Sequence, residues 1–262
     1  QETYCQSRLW VGMSADDAPE NLRNEMRLWA EALPVGRTRK WECPNFPTSV
    51  GRRVLIVQKP QRTQAQILIG HPAVSATHPD EWPLWIATSA FGGSFTSRLV
   101  QEIRVNRGMS YDTHAHLASE RSGGLYILGA SADAEKMVAT TDILLQEYER
   151  FVDKGLTDEE IEFARQNRLN GFPFTIETAT LEMSQRLRGR VAGHGPGWLE
   201  RYMDFLRSVT PEAVRGAVRR HLTPRSVWIV VVCSADEVSR AAFGSLPGVE
   251  SVHVVRYDER PG

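Results

Sequence analysis

The fold of this chain is decided by residues 92–111, which read Gly-Gly-Ser-Phe-Thr-Ser-Arg-Leu-Val-Gln-Glu-Ile-Arg-Val-Asn-Arg-Gly-Met-Ser-Tyr. The paired glycines at its start can end one helix, because glycine adopts the left-handed C-cap conformation without a Cβ clash. Thr96 or Ser97 can then cap the next helix with a side-chain oxygen. The stretch therefore predicts a sharp junction between two helices.

The second helix is short and has one apolar face. Leu99, Val100 and Ile103 recur at helical spacing, and Arg98 and Glu102 form an i,i+4 pair of opposite charge. We expect the apolar face to be buried and the charged pair to be exposed.

A strand follows this helix. Asn106 and Gly108 interrupt the helical pattern, and residues 111–117 alternate in the manner of a strand. Arg104 therefore ends a helix and Tyr111 opens the strand beyond a tight turn. This connection can bring the guanidinium and the phenol to the same end of a sheet.

Residues 92–111 resemble the second, non-catalytic half-domain of the pitrilysin/insulinase zinc metallopeptidases, the inverzincins. They carry nearly all of the sequence motif that this half-domain has in the family, from the paired glycines to the tyrosine. Arg104 and Tyr111 match the family's arginine and tyrosine. The resemblance implies that these two side chains reach across to a zinc-bearing half and help to hold the substrate backbone.

Composition is that of a soluble globular protein. Hydrophobic residues make up 41% of the 262 residues, charged residues 24%, and the net charge is −1. This balance favours neither nucleic acid nor an anionic membrane as a partner. No apolar run approaches the roughly 20 residues that span a bilayer. We therefore expect a soluble protein. The family resemblance implies a bacterial one, with cytoplasm and periplasm both left open.

The order of predicted elements indicates three segments. Residues 1–34 are interpreted as the tail of a preceding half-domain, with a strand from Arg8 to Met13 and a helix that ends near Leu33. Residues 35–51 are predicted to be a linker, because the stretch from Pro34 to Gly51 holds three prolines and little periodicity. Residues 52–262 form the half-domain proper.

Within the half-domain, strands come first, then helices, then strands again. Residues 53–57 and 64–70 are predicted to form an antiparallel hairpin across Pro60, and residues 252–255 a short edge strand. This arrangement indicates an α+β two-layer sandwich, a mostly antiparallel sheet with helices packed on one face. The resembled half-domains, of the mitochondrial-processing-peptidase type, share that architecture.

The metal motif of the family is missing. Catalytic inverzincin halves use His-x-x-Glu-His on a helix, and the nearest phrase here is residues 78–82, His-Pro-Asp-Glu-Trp. The indole of Trp82 offers no lone pair to a metal. We therefore predict no metal site in this chain, no catalytic residues of its own, and zinc in the partner half.

A second group with metal-ligand side chains lies on the predicted strand. Asp112, His114 and His116 share one side of it. Such a set can hold a metal ion, but an exposed polar strand face explains the pattern more simply.

These observations predict the non-catalytic half of a zinc endopeptidase, which closes on a zinc-bearing half and holds a peptide with Arg104 and Tyr111. The zinc-bearing half is either fused or a separate chain, and a homodimer is possible. Taken singly, Arg104 is also explained as a cation at a helix C-terminus, and Tyr111 as an aromatic residue packed on the sheet. The alternative function is a non-proteolytic structural or assembly subunit of the same fold, like the core subunits of the respiratory bc1 complex.

Overall fold

The computed structural model describes residue 6 and residues 9–36 and 50–259. The strands are β1 Arg52–Gln58, β2 Gln64–Ala73, β3 Ser110–Glu120, β4 Gly123–Asp133, β5 Val227–Cys233 and β6 Val249–Arg256. The helices are α1 Pro19–Glu31, α2 Glu81–Gly92, α3 Arg98–Val100, α4 Met137–Lys154, α5 Asp158–Thr175, α6 Ala179–Ala192, α7 Tyr202–Ser208, α8 Pro211–His221 and α9 Glu237–Gly244. A π-helical segment, Gln101–Asn106, continues α3, and a 3₁₀ turn, Ala134–Lys136, precedes α4.

The six strands form one mixed sheet in the order β3-β4-β2-β5-β1-β6. Three neighbouring pairs are antiparallel and two, β1–β5 and β1–β6, are parallel. The α+β class and the mostly antiparallel sheet are confirmed, and β6 lies at an edge as predicted.

The predicted hairpin between β1 and β2 is wrong. Strand β5 lies between them, parallel to β1 and antiparallel to β2. β5 is apolar throughout, with Val227, Ile229, Val231 and Cys233 fully buried. Such a strand is best stabilised in the middle of a sheet, where both of its edges are paired and both faces are at least partly covered.

The core lies between one face of the sheet and the helices. Alternate strand residues such as Ile56, Ile67 and Ile229 are fully buried against the helical layer. The opposite face is less covered, and Leu68 on β2 is 46% exposed there. The sheet therefore presents a partly apolar open face.

The N-terminal segment differs from the prediction in two ways. Residues 9–13 do not form a strand; they lie beside α6, where Arg190 approaches the ring of Trp10 at 5.3 Å, and they pair with no strand of the described ranges. Helix α1 is present, but it has no buried residue, and Trp29 on its apolar face is 55% exposed. Most of the predicted linker falls outside the described residues, and the division into 1–34, 35–51 and 52–262 stays a prediction.

The two glycines after α2 are required for close packing rather than for a left-handed turn. Gly93 caps α2 with a right-handed φ of −95°. A Cβ on Gly92 would lie 2.6 Å from Ala115 Cβ and 2.7 Å from its backbone nitrogen, and one on Gly93 would lie 2.7 Å from Ser89 Cα. The contacts at Gly92 bring α2 directly against β3.

Arg98 and Glu102 are predicted to pair with each other, but each of them pairs with a different residue. The Arg98 guanidinium forms a two-point ion pair with Glu160 on α5, at 2.6 and 3.0 Å, while Glu102 accepts hydrogen bonds from Arg107 and Asn106. Ser97 is the N-cap of α3, but its hydroxyl donates to the Ser94 carbonyl. The apolar side chains of α3 are buried as predicted.

We expect Gly92→Ala to lower the free energy of unfolding by about 1–3 kcal/mol, because the added methyl group overpacks against the backbone of β3. Gly171→Ala on α5 is the matched control, since no atom of the described residues lies within 4 Å of the place that its methyl group would take. Urea denaturation of both variants measures the effect. Equal stabilities would contradict the close approach of α2 to β3.

None of the helices in the described ranges is long and apolar enough to cross a membrane.

Candidate functional site

The structure places Arg104 and Tyr111 in direct contact. The guanidinium carbon of Arg104 lies 3.9 Å from the centroid of the Tyr111 ring and 4.7 Å from that of the Phe95 ring. Tyr111 is 81% exposed and Phe95 is 58% exposed. The three side chains form a surface group, the Arg104 cluster, in which cation–π contacts hold the guanidinium.

Local backbone geometry positions both partners. Arg104 lies in the π-helical segment, next to the fully buried Ile103, whose carbonyl accepts from the Met109 backbone N–H at 3.0 Å. The β3–β4 register shifts between Ser110 and Thr113, a bulge at which Ser110 and Thr113 are buried but Tyr111 is exposed. Bulges redirect side chains in this way, so the phenol faces solvent.

Arg104 differs from the arginines beside it. Arg98 is paired with Glu160, and Arg107 with Glu102. In the part of the chain that the structure describes, Arg104 has neither an ion pair nor a hydrogen bond. Its five N–H donors are therefore available to a carbonyl or an oxyanion.

Sequence analysis missed Phe95 as a member of this cluster. The aromatic residue stands inside the quoted stretch, nine residues before Arg104. Because a helix and a bend separate the two, their contact could not be read from spacing.

The phrase at residues 78–82 does not form a metal site of the His-x-x-Glu-His type. His78 and Glu81 belong to different surroundings, because Glu81 is 5% exposed and lies 3.9 Å from His194 Nε2. Burial raises the pKa of the Glu81 carboxyl to about 8. It also lowers the pKa of His194.

His78 instead belongs to a polar group that the sequence did not reveal. Among the described residues, His78, Asp80 and His221 place ligand-type atoms within 4.8 Å of one another. The Asp80 carboxylate accepts hydrogen bonds from His221 Nε2 at 2.7 Å and from Arg220 at 2.8 and 3.0 Å. The hydrogen bond from Arg220 is the main reason that the pKa of Asp80 is lowered. Since a guanidinium already neutralises this carboxylate, the group is an ion-pair network that joins α8 to the start of α2.

Asp112 and His114 lie on the open face of β3, 3.4 Å apart between Oδ1 and Nδ1. His116 is on the same strand, is exposed and has no ion pair with a residue of the described ranges. This arrangement is that of a solvated polar strand face.

A family model described as the peptidase M16 inactive domain matches residues 14–168, more than half of the chain. An uncharacterized zinc protease of Bacillus subtilis is 19% identical over 84% of this chain and 53% of its own length. One of Streptomyces coelicolor is 28% identical over 70% of this chain and 39% of its length. A Helicobacter pylori protein named a non-peptidase homolog is 26% identical over 66% of this chain and 38% of its length.

Solved structures show the same fold. The peptidase M16 inactive domain from Pseudomonas fluorescens superposes with a TM-score of 0.73 at 19% identity, over 84% of this chain and 52% of that chain. A chain of complex III2 from Candida albicans has a TM-score of 0.63 at 13% identity, over 82% and 52% of the two chains.

The chain spans between about two fifths and about half of the length of these curated relatives. Its sequence lacks His-x-x-Glu-His but retains the phrase that ends in Tyr111. The family match, the phrase and the fold agree, and the chain belongs to the peptidase M16 family as an inactive domain.

Proposed function

We propose that this chain is the non-catalytic half of a zinc endopeptidase, which closes on a zinc-bearing half and holds the peptide substrate. The observation that carries the proposal is the Arg104 cluster, a guanidinium held by two exposed aromatic rings and unpaired among the described residues. Zinc, its ligands and the general base belong to the other half, where metal-activated water attacks the peptide bond.

The role of Arg104 follows from its donors. A guanidinium with free N–H groups donates hydrogen bonds to a peptide carbonyl, and these bonds strengthen as negative charge develops on the oxygen. Because the contacts with Phe95 and Tyr111 are cation–π contacts and not hydrogen bonds, they leave the N–H groups of the guanidinium without an acceptor among the described residues. The Tyr111 hydroxyl supplies a further donor at an exposed position.

Two exposed apolar surfaces support docking of a second half-domain. One is α1, with Leu28 and Trp29 exposed, and the other is the open face of the sheet, which includes Leu68 and Leu125. Contiguous exposed apolar surface is typical of an interface. We propose that the zinc-bearing half covers at least one of these surfaces.

Tyr111→Phe and Tyr111→Ala separate the two contributions of the tyrosine. In the assembled two-half protein we expect Phe to lower kcat/KM about tenfold, as for a lost hydrogen bond, and Ala to lower it further, since the ring over Arg104 is also removed. Peptide hydrolysis measures both. Tyr257→Phe, at an exposed tyrosine remote from the cluster in sequence, is the control. Identical activities for all variants would show that Tyr111 does not contact substrate.

A structural or assembly subunit is the second candidate. The relative named a non-peptidase homolog and the structural neighbour in complex III2 favour it. Arg104 favours the peptidase half, because a purely structural surface has no use for a partly buried, unpaired cation between two rings.

Association tests the proposal directly. Sedimentation of this chain with a zinc-bearing M16 half that is encoded with it is expected to show a one-to-one complex that cleaves unfolded peptides. A complex that forms but cleaves no peptide, with zinc present in the other half, would support the structural alternative instead.

A further inference from the structure

A cavity of about 710 Å³ lies between the start of α2, the end of β3, helices α5 and α6, and the segment that leads into α7. Five aromatic side chains contribute to its wall, namely Trp82, Trp85, Phe172, Trp198 and Tyr202. The volume is in the range of small-molecule sites, and several aromatic rings contribute to the wall.

Three side chains of this wall, Glu81, Ser119 and Trp198, have a buried polar atom without a hydrogen-bond partner among the described residues, and Glu81 is the one that can carry a charge. Glu81 lines the cavity and is only 5% exposed, and its Oε2 atom has no hydrogen-bond partner among the described residues. The ionisable atom paired with it, His194 Nε2, is 3.9 Å away, beyond hydrogen-bond distance. A buried carboxyl oxygen without a partner is rare in folded proteins and requires a reason.

Neither arginine of the wall forms an ion pair with Glu81 in the part of the chain that the structure describes. Arg168 stacks on Trp85 at 4.3 Å and donates to the Ser89 hydroxyl at 2.8 Å. Ser89 is eight residues beyond Glu81 along α2, about 12 Å at the helical rise. Arg188 is exposed. The stacking of Arg168 also shows that an indole of this wall accepts a cation over its face.

We propose that this cavity binds an organic ammonium ion with an apolar body, with the Glu81 carboxylate as its counter-ion and the aromatic rings around its body. A carboxylate within an aromatic wall is the combination that recognises alkylammonium groups. The ligand supplies a counter-ion for the Glu81 carboxyl group, and its apolar part replaces water against the indoles.

This site is distinct from the Arg104 cluster. The β3 residues that line the cavity, His116 to Glu120, are five to nine residues beyond Tyr111, roughly 17–30 Å along an extended strand. The inference does not depend on the proposed peptide-holding function, because it concerns other residues and a different ligand.

Binding is coupled to protons. The carboxyl of Glu81 is largely protonated below pH 8 in the free protein, because burial raises its pKa to about 8. An ammonium ion binds the ionised form, so affinity rises by up to about tenfold per pH unit between about pH 6 and pH 8. The other ionisable groups that face or line the cavity are His194, Tyr202, Arg168, Arg188, His116 and Glu120. Burial lowers the pKa of His194, which favours its neutral form.

Isothermal titration calorimetry of the full chain with phenethylamine, and with 2-phenylethanol as a neutral analogue of the same shape, tests the proposal. We expect the amine to bind at least tenfold more tightly than the alcohol at pH 8, with the difference reduced at pH 6. Glu81→Gln is expected to abolish the preference for the amine without weakening the binding of the alcohol. Glu120→Gln, at an exposed position on the cavity rim, is expected to retain it.

Equal affinities for amine and alcohol in the wild-type chain would overturn the proposal, as would an amine preference that survives in Glu81→Gln. Failure of both probes to bind at millimolar concentration would also overturn it. The ratio of the affinities for amine and alcohol in the wild-type chain, and the pH dependence of this ratio, test the proposal even where Glu81→Gln does not fold. Neither measurement depends on peptide hydrolysis.

Discussion

Arg104→Ala is expected to lower kcat/KM for peptide hydrolysis by the assembled two-half protein by about 10²–10³, the usual effect of removing one donor to a developing oxyanion. The effect is expected mainly in kcat, because the hydrogen bond strengthens as charge develops in the transition state. Steady-state kinetics with an unfolded peptide measure it. The variant is expected to fold normally, since Arg104 has no hydrogen bond or ion pair in the described ranges.

Two further variants make this result specific. Arg107→Ala removes an exposed arginine three residues away that is paired with Glu102, and should leave hydrolysis nearly unchanged. Arg104→Lys keeps the charge but loses the planar fork and its stacking, so intermediate activity is expected. If Arg107→Ala were as damaging as Arg104→Ala, the effect would reflect the local charge or fold, and Arg104 would have no direct role.

The free energy of unfolding is expected to depend strongly on pH because of Glu81. The pKa of Glu81 is about 8 in the folded chain, above its ordinary value of 4.5, because burial disfavours the charged form. Between these values the folded state binds more protons at this site than the unfolded state does, so the free energy of unfolding falls as pH rises. From pH 5 to pH 8 the Glu81 carboxyl alone is expected to lower the free energy of unfolding by about 3 kcal/mol.

Glu81→Gln is expected to remove that pH dependence, so the variant should gain stability relative to wild type as pH rises from 5 to 8. Urea unfolding followed by circular dichroism at several pH values measures the difference. His71 acts in the opposite sense, since burial lowers its pKa and its protonation in the unfolded state costs stability below its ordinary value of 6.5. Subtracting the variant's curve from that of the wild type cancels this contribution. Parallel curves would show that Glu81 is ionised and satisfied in the folded chain.

Much of the fold was predictable because its signals are local. The Thr157 side chain accepts from the Glu160 backbone and the Glu160 side chain accepts from the Thr157 backbone, a capping box at the start of α5 that the local sequence Thr-Asp-Glu-Glu indicates. Thr210 caps α8, where proline occupies the first turn. Residues that alternate or recur at helical spacing identify their elements without knowledge of distant neighbours.

Two of the errors concern contacts between distant segments. The pairing of β1 with β5 joins residues about 175 positions apart, so no local pattern distinguishes it from a hairpin with β2. The same holds for Arg98, whose partner Glu160 lies on another helix.

Of the candidate site, the sequence identified Arg104 and Tyr111 but neither Phe95 nor the cavity around Glu81. A sequence motif shared with a family identifies the residues that match the motif. An unpaired buried carboxyl group, in contrast, can be recognised only when the residues around it in the folded chain are known. His194, the ionisable group that faces Glu81 in the structure, is 113 residues away in the chain. His78 and Glu81 are neighbours in the sequence, yet packing places their side chains in different surroundings.

The measurement that tests the central claim most directly is peptide hydrolysis, with zinc analysis, for this chain alone, for the zinc-bearing half alone and for the two together. We predict that this chain is inactive and free of stoichiometric zinc, and that efficient hydrolysis requires both halves. Hydrolysis by the zinc-bearing half that is unchanged by addition of this chain would contradict the account, as would stoichiometric zinc and activity in this chain by itself.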